Sequence, residues 1–178
     1  MANEREFFKF LKAYYNRPLV GVEIGVYRGE NSFDMLANLK IEKLYLIDPY
    51  EDYYGGCWES RKKQSEYDDI YNTITKKLIP YKDKVEVIRK KSCDAIDKIP
   101  EVDFVYIDGN HEFDYVLQDI ALYYPKIKEG GVLSGDNLEY KDVANVVTQF
   151  FYYNKMKLWA STRRISFEWW GIKNANGI

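Results

Sequence analysis

The sequence predicts one α/β domain over residues 1–178, a three-layer sandwich with a mostly parallel sheet and an antiparallel hairpin at its C-terminal edge. Strand-like and helix-like segments alternate without a linker, repeat or low-complexity stretch, as in chains of strand–helix–strand units. The segment VDFVYID at 102–108 is almost continuously apolar, which is typical of a strand covered on both faces. With 178 residues, 46% of them hydrophobic, the chain can build one sizeable core.

Apolar spacing and capping residues predict the helices. In the N-terminal helix, within residues 1–17, Phe7 and Leu11 repeat at helical spacing. Asn31 and Ser32 are good N-cap residue types, so we expect the next helix to open there. The predicted helices cover residues 3–15, 31–39, about 59–79, 93–99, 113–127 and 142–154.

Short apolar runs rich in β-branched residues predict the strands. The first, PLVGVEI, comes directly before a glycine-rich turn, and Pro49 stops the second, KLYLID. The last two segments, KLWAST and ISFEWWGIK, are predicted to pair as the antiparallel hairpin. The predicted strands cover residues 18–24, 43–48, 84–90, 102–108, 130–136, 157–162 and 165–173.

Composition and charge argue against several classes of protein. No apolar run approaches the roughly 20 residues that span a bilayer, and the N-terminus lacks the apolar core of a signal peptide. We therefore expect a cytoplasmic protein without a membrane partner. The net charge is −2, and acidic residues surround both RKK runs, so no nucleic-acid partner is expected. Cys57 and Cys93 are too isolated for a disulfide framework or a zinc site.

The turn after the first strand carries Glu23, Gly25 and Gly29. Glycine serves a tight turn, or it lets the backbone approach a ligand closely. The N-terminus of the following helix would offer N–H groups to a carboxylate or phosphate. A dinucleotide fingerprint, G-x-G-x-x-G, would need glycine at 23 and 28, where Glu and Arg stand. The pattern present is E-x-G-x-x-x-G.

That pattern, followed in order by Asp48, YIDGNH and GGVLSGDN, resembles the class I S-adenosylmethionine-dependent methyltransferases. FVYIDGNHEFDYVLQDI and KEGGVLSGDN look like the small-molecule O-methyltransferase branch, with its catechol-type and sugar-modifying enzymes. The resemblance covers about residues 18–140. It implies a Rossmann-like, seven-stranded fold and S-adenosylmethionine as cofactor. The cofactor-binding residues that it implies are Glu23, Gly25, Gly29, Ser32, Asp48, Ser92, Cys93 and Asp94.

Within that set, Asp48 ends the second strand, where the family places an acid on the ribose hydroxyls. A carboxylate suits this role because it accepts hydrogen bonds from two adjacent hydroxyl groups. The alternative is a strand-end acid that is satisfied by local N–H groups. Ser92, Cys93 and Asp94 follow the third strand, where the family contacts adenine.

Asp108, Asp136 and Asn137 lie at the predicted ends of the fourth and fifth strands. Hard oxygen donors from adjacent strand ends suit Mg²⁺, and the catechol-type branch binds this metal at the matching positions. A metal there would lower the pKa of a substrate hydroxyl. The alternative is that these residues cap loops, since Asp-Asn is a common turn dipeptide.

His111 is the one histidine of the chain and follows Asp108 by three residues. The catechol-type enzymes place a lysine base at this spacing, whereas the sugar-modifying relatives favour histidine. An imidazole titrates near neutral pH and accepts a proton from a hydroxyl with little tuning. Asp108 and His111 are therefore the predicted catalytic residues. The alternative is a loop histidine bonded to a nearby carboxylate such as Glu112.

The predicted function is S-adenosylmethionine-dependent methyl transfer to an oxygen of a small molecule, a sugar or a phenol. Two alternatives stay open: an NAD-dependent oxidoreductase on a similar fold, which the glycine spacing disfavours, and a non-catalytic cofactor-binding module. The aromatic loop at 50–60 is interpreted as a lid or as a surface loop. A chain of 178 residues leaves little material to cover a substrate, so a homo-oligomer would help to close the site.

Overall fold

The computed structural model describes residues 4–51, 62–161 and 167–174. Within them, one seven-stranded sheet forms the centre of the molecule. Its strands are β1 (Leu19–Ile24), β2 (Ile41–Ile47), β3 (Val85–Ile88), β4 (Val102–Ile107), β5 (Ile127–Gly135), β6 (Trp159–Ala160) and β7 (Trp169–Ile172). The helices of the described residues are α1 (Glu6–Tyr14), α2 (Glu30–Asn38), α3 (Gln64–Leu78), α4 (Ser92–Ala95), α5 (Phe113–Tyr123) and α6 (Lys141–Tyr153).

The sheet has the order β3-β2-β1-β4-β5-β7-β6. The pairs from β3 to β5 are parallel, whereas β7 pairs antiparallel with both β5 and β6. The predicted α/β class, the mostly parallel seven-stranded sheet and the antiparallel C-terminal pair are therefore confirmed. The order reverses between β1 and β4, and ligands of such sheets bind at this switch point.

Two apolar clusters cover the two faces of the sheet and create the predicted three layers. One joins α1, α2 and α3 to side chains such as Leu44, Phe104 and Tyr106. The other joins α4, α5 and α6 to side chains such as Val105 and Leu133. All six residues of β4 are buried because helices pack on both faces of this central strand.

The start of α2 differs from the prediction. Gly29, with φ 79°, is the N-cap, and the helix begins at Glu30. Asn31 and Ser32, which were predicted to cap the helix, lie inside its first turn with buried side chains. Their side chains bond Glu23 rather than the helix's own N–H groups, so the capping prediction is wrong.

Part of the predicted 50–60 lid loop, including Cys57, lies outside the described residues. Tyr50 is described and fully buried, and its ring packs 5.3 Å from that of Tyr71 on α3. No helix within the described ranges has the length and apolar character needed to cross a membrane.

Candidate active site

A cavity of about 600 Å³ opens at the carboxyl ends of β1, β2 and β4, next to the switch point of the sheet. This volume lies in the range of small-molecule sites. The predicted site residues that line the cavity are Glu23, Gly25, Asp48, Ser92, Cys93, Asp108 and His111. The predicted residues outside its lining are Gly29, Ser32, Asp94, Asp136 and Asn137.

Glu23 connects the end of β1 to the first turn of α2. Its Oε1 accepts a hydrogen bond of 2.9 Å from Asn31 Nδ2, and its Oε2 accepts a short one from Ser32 Oγ. The residue is 1% exposed. Burial raises the pKa of Glu23 to about 8, against the opposing effect of the bonds from Ser32 and Asn31. Ser32 therefore acts on this carboxyl group rather than on the cavity.

Packing inside the protein explains both glycines of the turn. Gly25 has φ 86°, and a Cβ there would lie 2.0 Å from the carbonyl oxygen of Asp108. A Cβ on Gly29 would lie 2.0 Å from Cδ1 of Ile74 on α3. Gly25 thus lets β1 and β4 meet beneath the cavity, and Gly29 lets α2 approach α3.

Asp48 fixes the backbone of the glycine turn. Its Oδ2 accepts hydrogen bonds from the N–H groups of Val26 and Tyr27, at 2.9 and 2.8 Å, and its Oδ1 accepts one from Tyr50 at 2.8 Å. Burial raises the pKa of Asp48, and these three bonds oppose that rise. Because an ionised carboxylate offers about four acceptor positions, one stays available to a ligand. The ribose role remains a prediction.

Asp108 and His111 come together at the end of β4. Oδ1 of Asp108 lies 3.7 Å from Nε2 of His111, with both side chains about one-third exposed. The imidazole stacks on Tyr140 at a centroid distance of 5.1 Å. Burial raises the pKa of Asp108, and His111 opposes the rise. The carboxylate beside this histidine is Asp108, not the Glu112 of the alternative interpretation.

The predicted magnesium residues do not form an open set of ligands. Oδ1 of Asp136 accepts a hydrogen bond of 2.8 Å from the backbone N–H of Asn137. Oδ2 of Asp136 lies 3.5 Å from Nη1 of Arg5. The same nitrogen donates to the Tyr106 hydroxyl at 2.7 Å and pairs with Glu168 at 3.3 Å. The guanidinium of Arg5 is thus already paired with the carboxylates of Asp136 and Glu168. No group of three His, Cys, Asp or Glu side chains in the described ranges is placed to hold a metal, so these residues do not fit Mg²⁺.

Two residues that line the cavity carry buried polar atoms whose chemistry fits a ligand such as S-adenosylmethionine. Asn31 Oδ1 and Asn110 Nδ2 are both buried, and neither finds a hydrogen-bond partner within the described part of the chain. Both residues line the cavity. One is an acceptor and the other a donor, so they match a ligand that carries both an ammonium and a carboxylate group.

Several residues of the cavity gave no clear signal in the sequence. Arg5 belongs to a helix that showed only apolar spacing, and Asn110 lies in a loop. Glu51 follows Asp48 in a polar segment, where an acid is ordinary. Asp119 had one usable signal, since it stands on the apolar face of α5 beside Ile120. The cavity-lining residues missed from the sequence include Arg5, Asn31, Glu51, Asn110 and Asp119.

A comparison with known protein families shows the family to which the chain belongs. Residues 22–138, more than half of the chain, match a family model described as "Methyltransferase domain". The chain belongs to the methyltransferase-domain family. The matched range includes the ends of β1, β2 and β4, which border the cavity. The resemblance seen in the sequence is confirmed at this level, and its small-molecule O-methyltransferase branch stays a prediction.

One curated relative matches the chain in sequence. It is the uncharacterized protein R132 of Acanthamoeba polyphaga mimivirus, 31% identical over 127 residues. The alignment covers 68% of this chain and 52% of the relative. The chain therefore spans about half the length of the curated relative that it matches.

Solved structures share the fold of the chain. A candidate caffeoyl-CoA O-methyltransferase from Staphylococcus aureus has TM-score 0.68 and 13% identity, covering 94% of this chain and 81% of that one. An rRNA methylase from Streptococcus thermophilus has TM-score 0.66 and 12% identity, covering 98% and 99%. A candidate methyltransferase from Streptococcus mutans in complex with S-adenosylhomocysteine has 0.64 and 14%, covering 97% and 99%. At sequence identities this low, the similarity shows only a shared fold, and this fold does not identify a methyl acceptor.

Proposed function

We propose that the protein transfers a methyl group from S-adenosylmethionine to a hydroxyl oxygen of a small molecule, a sugar or a phenol. The family supports the methyl transfer and this cofactor. The pairing of Asp108 with His111 at the cavity mouth carries the assignment to oxygen, because a hydroxyl must lose its proton during the reaction.

The cavity offers a place for each part of the cofactor. Asp48 and Glu51 follow β2 and present carboxylates for the ribose hydroxyls. Asn31 and Asn110 present an acceptor and a donor for the amino-acid end. When bound, the cofactor supplies an activated methyl group, so the protein's main tasks are to align the acceptor and to take its proton.

In the proposed reaction, S-adenosylmethionine would supply the methyl group to the acceptor oxygen and leave as S-adenosylhomocysteine, and His111 would take the hydroxyl proton. Oδ1 of Asp108 lies 3.7 Å from Nε2 of His111, and a carboxylate beside one ring nitrogen favours the N–H tautomer at that atom. Nδ1 of His111 would then accept the proton of the acceptor.

His111→Ala tests this assignment. We expect it to lower turnover about 100-fold or more, the typical contribution of a general base, and to leave affinity for S-adenosylhomocysteine unchanged. Turnover is measured with labelled S-adenosylmethionine and a panel of sugars and phenols, and affinity by calorimetry. Glu112→Gln, at the neighbouring exposed carboxylate, is the matched control and should keep full activity.

Three outcomes would count against the proposal. An unchanged rate in His111→Ala at every pH rules out the base. Methyl transfer to amines alone rules out the oxygen acceptor. Failure of the folded wild type to bind S-adenosylhomocysteine rules out the methyltransferase activity itself.

A further inference from the structure

Asp119 is a buried carboxyl group on the inward face of α5. Its neighbours on that face, Val116, Ile120 and Tyr123, are core residues. Asp119 itself is 4% exposed and lines the cavity. A buried carboxyl group is costly unless donors satisfy its oxygens, so its partners indicate its role.

The protein satisfies one of the two carboxyl oxygens of Asp119. Oδ1 accepts a hydrogen bond from Ser92 Oγ at the start of α4. Within residues 4–51, 62–161 and 167–174, no group donates to Oδ2. That oxygen lies beside Gly109, 3.7 Å from the point that a Cβ on Gly109 would occupy. Gly109 also lines the cavity, so an acceptor that receives no donor from the described residues lies beside the ligand space.

The groups around Asp119 do not neutralise it. Those that face it are the Ser92 hydroxyl and the Tyr123 phenol. The phenol donates to the carbonyl oxygen of Ser92 at 2.8 Å, and no ion pair to Asp119 occurs among the described residues. Burial raises the pKa of Asp119 to about 6. At neutral pH the side chain of Asp119 is therefore mainly a carboxylate, which accepts hydrogen bonds and donates none.

The position of Asp119 relates it to one part of the cofactor. Ser92 and Cys93 follow β3, whereas Asp48, the proposed ribose position, follows the neighbouring strand β2. Pro49 also lines the cavity. A planar base that extends from the ribose toward β3 would bring its edge to Ser92 and Asp119. The amino group of adenine is the donor that the cofactor carries on that edge.

We propose that Asp119 recognises adenine by accepting a hydrogen bond from its exocyclic amino group at Oδ2. This inference rests on the proposed function and adds a residue that determines specificity for the nucleobase. A 6-oxo purine presents an acceptor where adenine presents a donor. Two acceptors would then face each other in a buried site, and neither could be satisfied.

The test compares two nucleosides that differ at this edge, S-adenosylhomocysteine and its deaminated analogue S-inosylhomocysteine. Both are titrated calorimetrically into the full chain at about pH 7.5, above the pKa of the carboxyl group. We expect the wild type to prefer the adenosine compound roughly 100-fold, the cost of leaving a charged acceptor unsatisfied. In Asp119→Asn the amide can donate to the 6-oxo group, so the preference should fall below about tenfold.

Two further variants separate recognition from packing. Asp114→Asn changes an exposed acid of the same helix and should keep the wild-type preference. Ser92→Ala removes the donor to Oδ1 but leaves Oδ2 in place, so it should also keep a clear preference for the adenosine compound.

Each result decides the inference. If folded Asp119→Asn keeps the full preference, the inference fails while the proposed function stands, because the adenosine compound still binds. If the wild type binds both compounds equally, the inference fails without any variant, even should Asp119→Asn not fold. If the wild type binds neither compound, the proposed function fails and the inference fails with it.

Discussion

Glu23 shows at the residue scale how one buried carboxyl group shapes the site. Its two carboxyl oxygens accept hydrogen bonds from the side chains of Asn31 and Ser32. These contacts hold Asn31 with its Nδ2 turned toward Glu23, and Asn31 Oδ1 has no partner among the described residues. Glu23 thus orients a residue that lines the cavity, and its own contact with the cofactor stays a prediction.

The raised pKa of Glu23 gives stability a distinct pH dependence. The pKa rises from 4.5 to about 8 on folding, so between these values the folded protein holds a proton that the unfolded chain has released. Raising the pH through this window therefore favours unfolding. The contribution of Glu23 to the free energy of unfolding is largest below about pH 4.5 and has fallen by about pH 8.

We predict that Glu23→Gln removes this dependence. A glutamine can accept from Asn31 and donate to Ser32 without any charge. The variant should therefore gain stability relative to the wild type as the pH rises from about 5 to about 8. Urea unfolding at several pH values measures the difference, with Glu30→Gln as an exposed control. A difference that stays constant with pH would show that Glu23 does not titrate in this window.

The positions of residues at the cavity were predictable where a sequence motif fixes them and not where long-range packing does. Asp48 and His111 were predicted from strand ends, and both line the cavity. Ser32 was predicted to bind the cofactor, but its hydroxyl is turned toward Glu23. Arg5 could not be found, because its contact with Glu168 joins positions separated by 163 residues. No local pattern records such a contact.

The turn between β1 and α2 is the element on which the site depends. Its two glycines both have positive φ, yet the atoms that exclude a side chain differ. At Gly25 the obstacle is the backbone of Asp108, and at Gly29 it is the flexible end of Ile74. Backbone at the end of a sheet strand cannot move aside, whereas a side chain can adopt another rotamer.

The pair Gly25→Ala and Gly29→Ala makes this difference measurable. Both carry the cost of a left-handed conformation, about 1–2 kcal/mol. We expect Gly29→Ala to lose about that amount of stability and to keep its affinity for S-adenosylhomocysteine. Gly25→Ala should lose more than about 3 kcal/mol, because it also separates β1 from β4. Equal losses in urea unfolding would contradict the packing difference.

Elements as a whole were better predicted than their ends. The apolar runs identify each main strand, and the parallel sheet follows from their alternation with helices. The start of α2 was misplaced, because Asn31 and Ser32 are common capping residues whose side chains here serve a tertiary contact. The long third helix was predicted from about 59, and the structure describes it from Gln64.

At the scale of the whole molecule, a stabilising polar cluster and the candidate site lie at opposite ends of the sheet strands. Asp103, near the amino end of β4, is 1% exposed and accepts from both Nη atoms of Arg17, from Lys128 and from the N–H of Val20. Burial acts to raise the pKa of Asp103, but these bonds together lower it to about 2. The cluster joins the segment before β1 to β4 and β5.

We predict that Asp103→Asn destabilises the fold by about 2 kcal/mol, since it removes charge-assisted hydrogen bonds. Affinity for S-adenosylhomocysteine should stay unchanged. Because the folded pKa is lowered from 3.8, this stabilisation is present above that value and is lost as the pH falls toward about 2. Urea unfolding should therefore show variant and wild type converging in acid. Asp83→Asn, at an exposed acid, serves as the control, and a loss no larger than the control's would contradict the role.

The position of β7 between β5 and β6 bears on how the protein is made. Residues 127–135 leave the ribosome well before residues 169–172, so in the nascent chain one border of β5 offers unpaired N–H and C=O groups. Such a border is open to wrong partners. Arg5 is synthesised long before its partner Glu168, which lies just before β7. The ion pair between them therefore forms only after translation has passed residue 168.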